Sequence, residues 1–180
     1  MIYKDLKIEA TSINGFQESV EAMRLPKNSE SDSYFVEKAF VLGDGDKKLA
    51  GRLIKAGNDH AKAMRGIIVW ATHTAMVGWI LEFQTYRHGV EWLSTSSSMH
   101  GELKELKGYE LAEKKQKDLP EKLYTTSYHL SYQALRSIYF ARRKHRHPAW
   151  RQYCQWIESL PYFDCLIAPG ILKNSLVQLY

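Results

Sequence analysis

Residues 67–74, Ile-Ile-Val-Trp-Ala-Thr-His-Thr, carry β-branched and aromatic side chains on both alternating faces. Extended backbone suits such residues, and a run with no polar face predicts a strand buried on both sides. The remaining elements must be arranged around that strand. Residues 2–10 alternate apolar and polar side chains, the pattern of an edge strand. A helix is expected over Gly15 to Leu25, closed by Pro26, and then a solvated loop over 27–33. Tyr34 to Leu42 reads as another strand. Gly43-Asp44-Gly45-Asp46 reads as a turn needing positive φ; it lacks the spacing and terminal Glu of a calcium-binding EF-hand. A short helix from Lys47 to Ala56 then ends at Gly57, a C′ glycine.

Beyond the central strand, Met76, Trp79, Ile80 and Phe83 share a stripe of helical period, which predicts a helix over Met76 to Trp92. Ser94 to Ser98 follows as a polar loop. Residues 102–122 balance six acids against six lysines, with Glu110–Lys114 and Glu113–Lys117 at i,i+4, and read as a solvated helical arm or hairpin. A further helix is expected over 127–145, with Tyr128, Tyr132, Leu135 and Tyr139 in register, and another from Pro148 to Leu160, stopped by Pro161. With no internal repeat and no interdomain linker, the reading is one α+β domain over residues 1–180, a mixed or antiparallel sheet packed with helices.

Charge is distributed unevenly. The 180 residues hold 25 Lys+Arg and 20 Asp+Glu, net +5, yet Leu123 to Ile157 contains no acid and six of the cations. The remainder is nearly neutral, so a local anion site is favoured over a generally DNA-coating surface. Two cysteines, Cys154 and Cys165, form neither a disulfide framework nor a metal-knuckle spacing. No run of 18 or more apolar residues or signal-peptide h-region occurs, so the expected location is the cytoplasm.

Three places carry side chains suited to chemistry. Gln84, Arg87 and His88 fall at i, i+3 and i+4, on one face if the segment is helical, and the serine run follows. An amide, a guanidinium, an imidazole and several hydroxyls make a receptor for phosphate or a pyrimidine edge; the same pattern also suits a polar outer helix face. The second is Arg142-Arg143-Lys144-His145-Arg146-His147. It reads as a nucleic-acid-contacting patch or a helix end complementing the dipole, and the interleaved Tyr132, Tyr139, Phe140, Trp150, Tyr153 and Trp156 as base-stacking groups or core. The third is the set of seven histidines, of which only His145 and His147 are close; no metal motif, P-loop, dinucleotide loop or nucleophile elbow is present.

The order Gln84-x-x-Arg87-His88, with Ser97 nine residues after the His, resembles the signature of the flavin-dependent thymidylate synthases (ThyX), written R-H-R-x7-S with a Gln three positions earlier. The setting is similar: Gly57, the hydrophobic strand, Ala75-Met76, the motif segment, and later Arg142 or Arg143 followed by Arg151. The resemblance covers roughly residues 57–100 and, more loosely, 132–157, and is greatest to short phage and prophage proteins of this type. Three positions depart from the pattern: Gly89 stands at the third motif position in place of Arg, Thr95 in place of an acid, and Met99 in place of an Arg.

The resemblance implies a ThyX-like fold, binding of a dUMP-like pyrimidine deoxynucleotide, and FAD as the source of the hydride that reductive methylation needs. Arg87 and His88 would hold flavin or phosphate, and Gln84, Ser97, Ser98 and Arg151 the nucleotide. Arg142 or Arg143 would stabilise charge developing on the base, as a catalytic residue. It further implies a homo-oligomer, with sites between subunits of a tetramer. The alternatives are a catalytically inactive ThyX-like nucleotide binder and a nucleic-acid-binding protein using the Arg142–Arg151 patch.

Overall fold

A computed structural model describes residues 5–96, 103–118 and 122–171. In chain order the elements are β1 (Leu6–Asn14), α1 (Phe16–Arg24), β2 (Tyr34–Val36), β3 (Ala39–Val41), α2 (Asp44–Lys55), β4 (Ile68–Met76), α3 (Val77–Phe83), β5 (Val90–Thr95), α4 (Gly108–Asp118), β6 (Leu123–Ser131), α5 (Tyr132–Arg142) and α6 (Pro148–Ser159). Four strands form an antiparallel sheet in the order β1-β4-β6-β5, and β2 and β3 form a separate hairpin. This is the α+β architecture expected, with every strand pair antiparallel.

β4 is central, pairing with β1 from Leu6↔Ala75 to Asn14↔Ile68 and with β6 from Ile68↔Ser131 to Met76↔Leu123. It is not buried on both sides. Val69, Ala71, His73 and Ala75 point into the core, whereas Trp70 on the other face is 39% exposed and its neighbours are half-buried. The helices lie against one face only, and Trp70, Thr72 and Thr74 line an open, largely polar face with Thr125, Ser127 and His129 of β6. β1 is the edge strand foreseen, displaced toward residue 14. Its register shifts between Ala10 and Ser12, and β5 shifts likewise between Trp92 and Ser94; irregularities at both edges resist further strand addition.

The covered face is an aromatic layer. Phe83, fully buried, has ring partners in His73, Trp79, Tyr86, Trp92, Tyr128, Trp150 and Tyr153 at centroid distances of 4.9–6.3 Å across the whole cluster. Tyr128 and Tyr153 share a hydroxyl hydrogen bond at 3.2 Å. α5 starts where β6 stops because Ser131 caps it, its Oγ accepting from Ala134 N at 3.2 Å. The helix expected over 127–145 is therefore half strand: Tyr128 faces inward from β6 and Tyr132 from α5, so the tyrosine spacing straddles a junction. α6 matches its expected span, with His147 as its N-cap and Pro148 in the first turn.

The acidic turn at 43–46 is also different. Gly43 has φ −68° and α2 begins at Asp44, so no positive φ is used. The glycines instead let the 27–33 loop approach: Asp32 accepts from the backbone N–H groups of Gly45 and Asp46 at 2.7 and 2.8 Å. Burial alone would raise the pKa of Asp46. Hydrogen bonds from Ser31, Ser33, Arg24 and Asp32 N overcome that and hold it at about 2. The segment 34–42 contains a hairpin turn at Glu37 rather than one strand, and Gly57, at φ +113°, ends α2 as expected. Of the charged arm, the described part is the single helix α4, with Glu113–Lys117 paired at 2.6 Å. Among the described residues no helix is long and apolar enough to cross a membrane.

His73 lies in the aromatic layer with neither ring nitrogen hydrogen-bonded, and burial pushes its pKa from 6.5 to about 3. The unfolded chain then binds one more proton than the folded chain between those values, so stability falls as pH drops below 6.5. The contribution is about 1.4 kcal/mol per pH unit. Urea unfolding of the wild type and His73→Phe at pH 5, 6 and 7 is expected to show a shallower pH dependence in the variant by about that slope, taken well below 6.5.

Candidate active site

The site grows from the way α3 ends. α3 is seven residues long, from Val77 to Phe83, and Gln84 is its C-cap. Gln84 to Gly89 is a loop, with Tyr86 N donating to Phe83 O at 3.0 Å and Thr85 Oγ1 to Glu82 O at 2.8 Å. The single helix expected over Met76 to Trp92 is thus a helix, a loop and a strand. Val90-Glu91-Trp92-Leu93-Ser94-Thr95 pairs with β6 because its apolar and aromatic residues complete the sheet edge, and Trp92 contributes to the layer beneath. Gln84, Arg87 and His88 consequently share a loop, not a helix face. The polar loop expected at 94–98 is strand as far as Thr95; Ser97 and Ser98 lie outside the described residues.

Gly89 is the pivot. Its φ is +71°, and a Cβ there would come within 2.9 Å of Ser131 Oγ and 3.4 Å of Ala134 Cβ. Its carbonyl accepts from Ser131 N at 3.0 Å. The loop therefore closes directly onto the N-cap of α5, where a side chain has neither backbone freedom nor space. The position that carries Arg in the ThyX pattern is held as glycine by this packing.

Next to the pivot, the open face of the sheet carries a concavity of about 580 Å³ where β4, β5 and the start of α5 meet. Arg65, His88, Glu91, His129, Ser131 and Gln133 line it. Arg65 Nε donates to Gln133 Oε1 at 2.6 Å, which orients both side chains. Glu91 and His129 face each other in the β5–β6 register, and the His129 ring lies 4.6 Å from that of Trp70. The volume falls in the range of small-molecule sites, and the lining offers cationic, amide, imidazole and carboxylate groups, with the Trp70 ring packed against His129 outside the lining. Such a set suits an anionic ligand with a planar polar ring.

The motif residues divide. His88 lines the concavity, while Gln84 and Arg87 are exposed on the same loop. The basic segment is largely engaged within the protein. Arg142 Nε donates to Tyr86 Oη at 2.6 Å, and its guanidinium lies 4.4 Å over the Trp150 ring. Trp150 Nε1 donates in turn to Glu82 at 2.7 Å. Arg142 thereby ties α5 and α6 to the motif loop. Arg143 stacks on Phe140 at 5.1 Å, and Arg151 donates to the carbonyls of Arg146 and His145 at 2.9 and 3.4 Å. Trp150, Tyr132, Tyr139 and Tyr153 are fully buried, so the core reading of those aromatics holds.

Arg65, Glu91, His129 and Gln133 were not singled out by the sequence pattern. Only the β-branched, alternating character of residues 123–131 could have placed His129 on an outward sheet face beside Trp70.

No protein-family model and no curated protein matches the chain. Its fold is similar to that of two crystal structures of ThyX, flavin-dependent thymidylate synthase, from Helicobacter pylori, both holding FAD and dUMP. One aligns with a TM-score of 0.64 at 15% identity over 90% of this chain and 97% of that one. The other aligns with a TM-score of 0.65 at 15% identity over 93% and 100%. The ThyX-like fold expected from the motif is the fold observed.

The pivot yields a direct test. Gly89→Arg, which writes the ThyX pattern back into the chain, is expected to destabilise it by about 1–3 kcal/mol through positive φ and the clash with Ser131. A lowered denaturant midpoint at unchanged m-value is the expected result; an unchanged midpoint would show the loop to be unconstrained.

Proposed function

We propose that the protein binds a pyrimidine deoxynucleotide of the dUMP type at the concavity between β4, β5 and α5. The observation that carries this reading is that His88, from the ThyX-like motif, lines the same hollow as the Arg65–Gln133 pair, in a chain whose fold is that of enzymes holding dUMP. Arg65 keeps its terminal guanidinium nitrogens for a phosphate or carbonyl while Nε is committed to Gln133. The Gln133 amide nitrogen is left to donate to a ring carbonyl, because its oxygen already accepts from Arg65. The Trp70–His129 pair offers a face for stacking. Arg87 and Gln84 stand on the exposed loop beside His88, where they guard the entrance with a further cation and amide. Ser97 and Ser98, by their place in the motif, belong with the nucleotide contacts.

The same donor set fits FAD: an imidazole and a guanidinium for its carbonyl or phosphate oxygens, and the exposed Trp70 face for an aromatic ring. FAD, when bound, supplies the hydride that no side chain of this chain supplies. What the chain's own residues do is bind and orient. Arg142 acts through Tyr86 to hold the motif loop in place; packed over Trp150 and absent from the lining of the concavity, it is a positioning residue in this reading. Completion of the pocket by a second copy, as in a homo-oligomer, is part of this reading, and methyl transfer to the nucleotide is the activity it entails.

A second reading is favoured by Gly89. The packing that holds glycine there removes one cation of the ThyX pattern, which supports nucleotide binding without turnover. The acid-free segment supports a nucleic-acid surface less well, because Arg142, Arg143 and Arg151 have partners within the chain.

With dUMP, the melting temperature is expected to rise, since a ligand that binds only the native state stabilises it. Arg65→Ala and His88→Ala are each expected to weaken dUMP binding by about 10-fold or more, the loss of a charge-assisted hydrogen bond. Calorimetric titration checks both. Unchanged affinity in the two variants would overturn the site. A visible flavin absorbance band in the purified protein would favour the enzyme, and a colourless dUMP binder the second reading.

A further inference from the structure

On α2 a different surface gathers charge. A groove of about 610 Å³ runs between α2 and the segment 164–169 and shares no lining residue with the concavity at β5 and α5. Five of its ten lining residues are cations: Arg24, Lys47, Lys48, Arg52 and Lys55, against one carboxylate, Asp164. Lys47 is neutralised by Asp44 at 2.8 Å, and Arg24 by Asp46 at 2.6 Å. Lys48, Arg52 and Lys55 are exposed and enter no ion pair among the described residues.

The groove is shaped as well as charged. Lys48, Arg52 and Lys55 stand at i, i+4 and i+7, one face of the helix, spread over about 10 Å of its axis. Gly51 lies among them and leaves the floor without a side chain, with Pro169 standing opposite, 3.6 Å from where a Cβ would lie. At the Gly45 end a Cβ would meet the Asp32 carboxylate at 3.0 Å and the Arg24 guanidinium at 3.2 Å, and near the other end Lys55 Nζ lies 3.6 Å from where a Gly170 Cβ would be. A solvated lysine face needs neither a bare floor nor an opposing wall. Two lysines and an arginine that enter no ion pair and outnumber the one lining carboxylate repel one another, and that repulsion is relieved by an anion that spans them.

We infer that this groove binds a small anion carrying several phosphate groups, such as a di- or triphosphate chain, at a site separate from the proposed nucleotide site. Lys48 and Lys55 act as point charges on phosphate oxygens and Arg52 as a forked donor between them. The bare floor at Gly51 admits the chain between the three side chains. The inference does not depend on the function proposed above.

Inorganic triphosphate is the probe. Calorimetric titration of the full chain is expected to show saturable binding that weakens as salt is raised. Lys48→Gln, Arg52→Gln and Lys55→Gln combined are expected to weaken it about 10-fold or more. Neutralising Lys104, Lys107 and Lys117, three cations outside the groove, is expected to change it less than about twofold. Amide shifts in the wild type, which need no variant to fold, are expected at residues 45–55 and 164–169. Absence of saturable binding, equal losses in both triple variants, or shifts centred on 88–91 and 129–134 would each overturn the inference. The last pattern would leave the nucleotide reading standing.

Discussion

The burial of Phe83 is the interaction on which the rest depends. It is the last residue of α3, and its ring is enclosed by partners from β4, β5, β6 and α6. An aromatic side chain so enclosed contributes several kcal/mol, and truncating one to Ala typically costs about 3–5 kcal/mol. Its place in the chain matters as much as its area. The loop carrying Gln84, Arg87 and His88 starts at the next residue, so the depth of Phe83 sets where that loop leaves the core. Tyr86, three residues on, packs on Phe83 and passes the constraint to Arg142 through its hydroxyl. The loop is thereby held at its root by apolar packing, in the middle by one charge-assisted hydrogen bond, and at its end by Gly89 against Ser131.

That arrangement divides the sheet between two kinds of work. One face is closed by rings and supplies stability; the other presents Trp70, Thr72, Ser127 and His129 to the outside. Because the strand period is two, each inward residue that anchors the core places its neighbour on the open face. His73 and Trp70 illustrate the split: one imidazole is sealed among rings and kept uncharged, while the indole three residues earlier lies open beside His129. A surface of hydroxyls, one indole and an imidazole is too polar to be core and too flat to bind alone. The loop ending at Gly89 and the turn carrying Arg65 turn that flat face into a concavity.

How much of this was legible in the residues follows from the same geometry. The β4 strand, the edge position of β1, α1, the glycine stop after α2 and α6 were readable because each is bounded by a local signal: alternation, Pro26, Gly57 or Pro148. β5 and β6 were not, because each lies next to a helix whose inward residues continue a near-helical spacing. Tyr128, Tyr132 and Tyr139 all reach the core, yet Tyr128 does so from a strand, and only Ser131 marks the change. The motif order from Gln84 to His88 is visible without its backbone, and its carrier is a loop after α3 instead of the helix its spacing suggests. Arg65, Glu91 and Gln133 carry no motif at all; only the β4–β6–β5 pairing brings them together.

The acid-free segment shows why charge counts read from sequence overstate binding. Its six cations look like a reserve for an anion, but a guanidinium is also a flat, weakly hydrated group that packs well on rings. Arg142 over Trp150, Arg136 and Arg143 on Phe140, and Arg151 on two carbonyls spend most of that reserve on holding α5 and α6 together. Such contacts need no acid, so Asp and Glu can be missing from the segment without leaving its arginines unsatisfied. Lys144 and Arg146 stay exposed within the segment, and further exposed cations lie outside it: Arg65, Arg87 and His88 around the open sheet face, and Lys48, Arg52 and Lys55 on α2. Both groups outnumber the acids beside them, Glu91 in the concavity and Asp164 in the groove.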